Sequence, residues 1–399
     1  MNDLQFQQLL SEYLAPMLGA TLTGSTASTP REKLVAYYQA PNQIAIKLTK
    51  GSTIRFILKR DRKFEEEESR LAEDFLGVVN IISEAGDRAY FGELVRALPR
   101  WVIARHLKQE TTLAAILEQL DSWSSETYEG RRITCALGLM QNPSNTGVLL
   151  SEYWSNSYAP VLSNGYDTIL EIGSDGQLAG LNCLAASGLS GFAPFRLSSI
   201  ADWSKEDGRL AATLNTQGEI LLFKGGELRF ARRAGKWTHV VHLNAVQIMN
   251  PYGSKELRTE IYKSCLDASF ARTGACIAVV AKENLPKVAN IVNTIDRIKG
   301  GSSYKSRFLS LSLDRSFDKI ERPLRQELLA LDGACVLDYQ GNILAVGAIV
   351  NVPSGSPNGG GRRAAAVALS ELGVAIKVSA DGPISIFKGA NDKPLLGIF

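Results

Sequence analysis

Cysteine and histidine are scarce in this chain of 399 residues, which has five of the first and three of the second. The cysteines (Cys135, Cys183, Cys265, Cys276, Cys335) form no CxxC pair and no metal-ligand spacing, and their odd number argues against a closed disulfide framework. They read as buried, reduced thiols. His106, His239 and His242 all precede residue 250, so a zinc site or a serine-histidine triad in the last third is nearly excluded. No apolar run approaches the roughly 18 residues needed to span a bilayer. The opening MNDLQFQQLLSEYLAPMLGA lacks a basic segment ahead of an apolar core and does not read as a secretory signal. A cytoplasmic location without a membrane partner is expected. An excess of one charge is also missing: 44 basic against 41 acidic residues give a formal +3, so bulk charge selects no nucleic-acid or membrane partner.

What is present fits two or three domains with ordinary cores, at 45% hydrophobic and 21% charged residues. Residues 1–137 read as a mixed α+β region. Leu4–Leu18 has apolar residues at helical spacing, and IAIKL and TIRFIL form a hairpin around Lys50-Gly51. KFEEEESR (63–70) reads as a solvated helix start, and Pro99 should kink or end the helix that contains it. Residues 138–248 read as a β-rich meander, with tight turns at Ser174-Asp175-Gly176 and Lys224-Gly225-Gly226. Its segment RFARRAGKW (229–237) interleaves Arg229, Arg232, Arg233 and Lys236 with Phe230 and Trp237. That composition suits either a nucleic-acid surface or an edge hairpin guarded by charge.

NPYGS (250–254) marks a boundary, and residues 250–399 then alternate helix and strand. The pattern predicts helix 255–272, strand GACIAVVA, helix LPKVANIVNTIDRI, strand FLSLSL, helix ERPLRQELLA and hairpin ACVLDYQGNILAVGAIV. Helix RRAAAVALSEL and two closing strands, VAIKVS and PISIFK, complete it. The fold class expected is mixed α/β: a mixed sheet flanked by helices, preceded by the α+β and β-rich regions.

Two segments of this last part are suited to chemistry. In Leu331-Asp332-Gly333-Ala334 a carboxylate opens a buried strand beside a glycine that admits close approach to the backbone. In Asn358-Gly359-Gly360-Gly361-Arg362-Arg363 a glycine turn opens a helix. Free amides, the positive helix end and two forked guanidiniums would hold an anion such as phosphate. The alternative is a surface loop with solvated arginines. Neither segment is a P-loop or a GxGxxG fingerprint.

The order and spacing of these elements resemble the diadenylate cyclase family over about Ile261–Ile386. The family's Asp-Gly-Ala is similar to Asp332, Gly333 and Ala334, followed by a hairpin flanked by Asp338 and Gly341. Its Arg-His-Arg falls on Arg362, Arg363 and Ala364, or, one residue earlier, on Gly361, Arg362 and Arg363. Leu369-Ser370-Glu371 and Val378-Ser379 follow as in many members. Where many members carry glutamates after Val-Ser, this chain has Ala380 and Asp381.

The resemblance implies condensation of two ATP molecules into cyclic di-AMP and pyrophosphate by a homo-oligomer whose cyclase domains meet head to head. It implies Asp332 as the catalytic residue and metal ligand, with Mg2+ or Mn2+ as the metal. Asp381 is a second metal ligand or an ordinary turn residue. Gly333, Ala334, Gly360, Gly361, Arg362, Arg363, Thr273 and Ser379 would bind the nucleotide. Residues 1–245 would act as a sensor. The altered second motif leaves open a catalytically weakened module that binds the nucleotide without converting it.

Overall fold

The computed structural model describes residues 1–27, 37–47, 54–84, 91–156, 158–185, 191–299, 303–352 and 360–399. They group into two compact units. One comprises Met1–Gly191 with Leu197–Val240, the other Phe192–Arg196 with Val241–Phe399. The class is mixed α/β. Among the described residues no helix is long and apolar enough to cross a membrane.

In the first unit the helix α1 (Asp3–Leu9) starts with reciprocal caps: the Gln5 amide donates to the Asn2 side chain and the Asn2 amide to the Gln5 side chain. It runs on through a wider turn, Leu10–Leu14, so Phe6, Leu10, Leu14 and Met17 are all buried. Four antiparallel strands follow, β1 (Thr21–Ala27), β2 (Tyr37–Ala40), β3 (Gln43–Lys47) and β4 (Ile54–Lys59), in the order β1-β4-β3-β2. The expected pairing of IAIK with IRFILK is present; its turn, with Lys50 and Gly51, lies outside the described residues.

Helices α2 (Glu66–Glu84), α3 (Phe91–His106) and α4 (Glu110–Trp123) come next. Pro99 does not end α3: Leu98, Val102 and Ile103 anchor the helix in the core on both sides of it, and packing outweighs the missing amide. The run of glutamates does start a helix, but it is not a solvated face, because Glu68 is fully buried.

The β-rich part forms one sheet. Its strands are β5 (Cys135–Leu139), β6 (Thr168–Ile172), β7 (Leu178–Cys183), β8 (Leu210–Leu214), β9 (Ile220–Lys224), β10 (Glu227–Arg233) and β11 (Lys236–His239), in the order β11-β10-β9-β8-β5-β6-β7. All neighbours are antiparallel except β5 and β6. The position taken as the start of the β-rich region, residue 138, falls inside β5, and one hydrophobic core contains residues from both sides of it. Gly176, Gly225 and Gly226 take positive φ in their turns, as expected. Cys183 is exposed, unlike the other four cysteines. The basic hairpin is β10–β11. Arg229 pairs with Glu67, Arg232 with Asp121 at 2.6 Å and Arg233 with Glu219 at 2.9 Å, while Trp237 is buried. Its arginines therefore answer carboxylates of the same unit.

The second unit is built on a mixed sheet. Helix α5 (Lys255–Ala271) begins where Ser254 Oγ accepts from the Leu257 amide at 3.1 Å, and ends on Arg272 in the left-handed region. The strands are β12 (Ala275–Val280), β13 (Ala334–Asp338), β14 (Ile343–Ala348), β15 (Gly373–Val378), β16 (Ile384–Lys388) and β17 (Leu396–Ile398). Their order is β14-β13-β12-β15-β16-β17, with only β12 and β13 parallel. Every residue of β12 and β13 is buried, as strands covered on both faces should be. The unit also has helices α6 (Tyr304–Ser312), α7 (Arg322–Ala330) and α8 (Gly361–Ser370), besides a shorter helix, His242–Ile248, ahead of α5. Residues 192–196 join it through the buried Asp267, which accepts from Arg322 at 2.7 and 2.8 Å and from the Phe195 amide at 2.7 Å.

Two expectations fail here. FLSLSL is helical, because Ser303 Oγ caps the Ser306 amide at 3.0 Å and starts α6 before the alternating stretch is reached. LPKVANIVNTIDRI is not one helix but a short helical turn, Val288–Ile291, between two tighter turns. Pro286 interrupts it at the start. Later Asn293 caps a new turn, and Arg297 takes the Ala289 and Val292 carbonyls at 2.8 and 2.9 Å.

Candidate functional site

In the second unit, three connections meet at one end of the central strands. Thr273-Gly274 leads into β12, Asp332-Gly333 leads into β13, and Ser379-Ala380-Asp381 leaves β15. The pairing fixes this, because Ala275 lies opposite Val378 while β13 runs parallel to β12. The helix α8 starts at the same end, with Gly360 at φ 83° as its N-cap residue. Asn358 and Gly359 lie outside the described residues.

Arg362 ties these segments together. Its Nη2 lies 3.8 Å from Asp332 Oδ1. A Cβ on Gly274 would sit 3.0 Å from Arg362 Nη1 and 3.3 Å from the Ala380 amide nitrogen, so a glycine there lets the guanidinium lie against the backbone. Among the described residues, Arg362 Nε and Thr273 Oγ1 are buried here without a hydrogen-bond partner. The Asp332 side chain is 92% exposed. The site thus offers an accessible carboxylate, a guanidinium with donors to spare and the amide end of a helix, a set suited to a phosphate ester and its counter-ion.

The other expected residues divide. Ala334 opens β13, buried opposite Ala348. Gly333 has φ 103°, and the group that approaches it is the chain itself: a Cβ would fall 2.5 Å from the Gly347 carbonyl carbon and 2.8 Å from Ala348 N. Gly333→Ala is expected to lower the stability of this unit by about 2–3 kcal/mol, from a disfavoured φ plus the clash with β14. An unchanged urea midpoint would refute this. Ser379 sits in the turn between β15 and β16, its amide donating to Pro383 O at 2.9 Å and its carbonyl accepting from Gly382 N at 2.9 Å. Asp381 is exposed in that same turn. Gly361 is exposed in the first turn of α8.

Arg363 turns away. Its Nε donates to Asp392 Oδ1 at 2.9 Å and its Nη2 to the Asp392 carbonyl at 3.0 Å. Ala364 is buried, so of the two arginines only Arg362 reaches Asp332. Burial pushes the Cys276 thiol up to about 12, against the lowering charge of Arg362, so it stays protonated and supplies no nucleophile.

A second cluster lies in the first unit, and nothing in the local sequence foretold it. Glu67 in the first turn of α2, His106 at the end of α3 and His239 at the end of β11 place one ligand atom each within 4.8 Å of one another. Glu67 Oε1 is 3.7 Å from His106 Nε2 and 3.8 Å from His239 Nε2. Asp74, two helical turns after Glu67 on α2, meets His106 Nδ1 at 2.8 Å. Phe230 packs against both imidazoles, with ring centroids 6.0 Å from His106 and 4.9 Å from His239, and the two imidazoles meet edge to face at 6.0 Å. The cluster borders a cleft of about 580 Å³ that Lys108, Lys224 and Arg229 also line.

Burial alone would raise the Glu67 carboxyl, but the imidazoles of His106 and His239 beside it and the paired Arg229 hold it far below the usual range. Burial would lower His106, yet Asp74 and Glu67 raise it on balance. For His239 burial prevails and its pKa falls.

No protein-family model matches this chain, and no curated protein resembles it significantly.

Proposed function

We propose that residues 250–399 form a diadenylate cyclase module, which condenses two ATP molecules into cyclic di-AMP and pyrophosphate, and that residues 1–245 regulate it. One observation carries this reading: Asp332 and Arg362, thirty residues apart, share one sheet end with the amide-rich start of α8.

In each of the two condensation steps the 3′-oxygen of one ATP forms a bond to the α-phosphorus of the other, the bond between the α-phosphorus and the bridging oxygen breaks, and pyrophosphate leaves with the electron pair. Such transfers need alignment and charge neutralisation more than covalent help from the protein. Asp332 would orient the attacking hydroxyl and accept its proton or share it with solvent. Arg362 would neutralise the phosphates, its buried Nε finding an acceptor, and the amides at Gly360 and Gly361 would hold the departing group. Thr273 Oγ1, buried and unpartnered, would gain a partner in the nucleotide.

A Mg2+ or Mn2+ ion would supply Lewis acidity at the phosphates. Asp332, an accessible hard oxygen donor, would hold it. Asp381, exposed in the turn after β15 at the same sheet end, would be the second carboxylate available to the ion. Because one domain holds one ATP, two copies must face each other about a two-fold axis. The exposed row Tyr304, Phe308 and Leu311 on α6 supports such pairing, since Lys305 of that helix contacts the Gly347 carbonyl beside Asp332.

The test is incubation of the full chain with ATP and either metal, followed by mass spectrometry for cyclic di-AMP. Product is expected. A chain that binds ATP without forming product would instead favour a nucleotide-binding module, the reading to which the diversion of Arg363 onto Asp392 lends support.

A further inference from the structure

We propose that Glu67, His106 and His239 bind a divalent transition-metal ion of the zinc class in the amino-terminal unit. Two imidazole nitrogens and one carboxylate oxygen are a donor set that such ions favour, and the set comes from three separate elements that pack on one hydrophobic core. In a tetrahedral centre with bonds of about 2.0–2.1 Å, ligand atoms lie about 3.4 Å apart. The Glu67 separations of 3.7 and 3.8 Å therefore close by a few tenths of an ångström on binding, and the two imidazole nitrogens, within 4.8 Å of each other, by up to about 1.4 Å through rotation of the rings.

Two further observations point to a ligand. The His239 side chain is 0% exposed and neither of its ring nitrogens has a hydrogen-bond partner, so a fully buried imidazole faces the cluster unsatisfied. His106 gives its Nδ1 to Asp74 at 2.8 Å, which fixes the ring and leaves Nε2 turned to Glu67, the carboxylate–histidine arrangement that supports metal ligands. Glu67 and His106 also line the cleft, where Lys108 and Lys224 would favour an anion or hydroxide at the remaining coordination position.

Arg229 is the competitor. Its guanidinium pairs with the same Glu67 oxygen, and its Nη1 lies 3.7 Å from Glu227 Oε2, an alternative partner within reach. Metal binding would transfer Arg229 to Glu227. This predicts that Arg229→Met strengthens metal binding, whereas a cluster held only by its arginine would gain nothing.

The experiment uses the full chain, freed of any tag and stripped with a chelator, titrated with Zn2+ against a chromogenic chelator and separately with Co2+ followed by visible absorption. One ion per chain and cobalt d–d bands of a low-coordinate site are expected. His106→Gln and His239→Gln should each weaken binding by about 100-fold, and Asp74→Asn by about 10–100-fold with stoichiometry retained. His242→Gln should change nothing, since His242 packs on Phe192 in the other unit. Absence of cobalt bands in the unaltered chain would overturn the proposal without relying on any variant. So would zinc binding undiminished in a folded His106→Gln/His239→Gln chain.

Discussion

Asp332→Asn is expected to cut cyclic di-AMP formation by about a thousandfold while leaving the chain folded and able to bind ATP. The side chain is 92% exposed, so the fold does not depend on packing around it. Asparagine keeps its size but removes the negative charge that would hold the metal and draw on the 3′-hydroxyl. The loss should therefore fall on turnover. Arg362→Ala provides the contrast: on the proposed reading this cation would touch the phosphates before and during the reaction, so both KM and turnover should suffer. Initial rates from quantitative mass spectrometry, with ATP affinity measured by calorimetry, separate the two. An Asp332→Asn chain retaining a tenth of the rate would remove Asp332 from the chemistry.

Much of the second unit was legible because its elements carry their own local signals. The Ser254 cap and apolar spacing announce α5, the turn at Asp338 and Gly341 announces the β13–β14 hairpin, and the alanine run announces α8. The stretch 308–313 was misleading because alternation in a short segment yields to a cap five residues earlier. Asp332-Gly333 and Gly360-Arg362 could be singled out by residue type. That only Arg362 faces Asp332 could not, since Asp392, far downstream, captures Arg363. The Glu67–His106–His239 cluster was hidden for a related reason. Its members stand 39 and 133 residues apart by their numbering and meet only when α2, α3 and β11 pack. The one faint sign was that all three histidines precede residue 250.

The run of glutamates taken as solvated also supplies the largest stability effect expected in the first unit. Arg60 and Glu68 are paired with their side chains 4% and 0% exposed. Arg60 Nη1 donates to Glu68 Oε1 and to the Leu18 carbonyl, both at 2.6 Å, and Nη2 to the Lys63 carbonyl at 2.8 Å and to Glu68 Oε2. Glu68 Oε2 also accepts from the Glu65 amide at 2.8 Å, so the pair joins the end of the first helical segment, the end of β4 and the start of α2. Glu68→Gln leaves Arg60 buried without its counter-charge and should destabilise this unit by roughly 3–5 kcal/mol, and Arg60→Met, which leaves Glu68 only the Arg62 guanidinium at 3.5 Å, should cost toward the lower end of that range. Arg60→Lys should be little better, because an ammonium cannot span both oxygens and two carbonyls at once. The double change Arg60→Met/Glu68→Leu should cost less than the sum of the singles. The pH dependence follows from the same geometry. Burial raises the Glu68 carboxyl, but the hydrogen bond and charge of Arg60, helped by Arg62 and the Glu65 amide, bring it below its ordinary value. A carboxyl lowered in the fold contributes stability that is present above the unfolded pKa of about 4.3 and is lost as pH falls through the folded value. Urea midpoints should therefore drop for the unaltered chain on acidification below about pH 4, and less steeply for Glu68→Gln. Single variants within 1 kcal/mol of the parent at pH 7, taking about 1 kcal/mol as an ordinary substitution, would mean that the pair contributes little beyond its own desolvation cost.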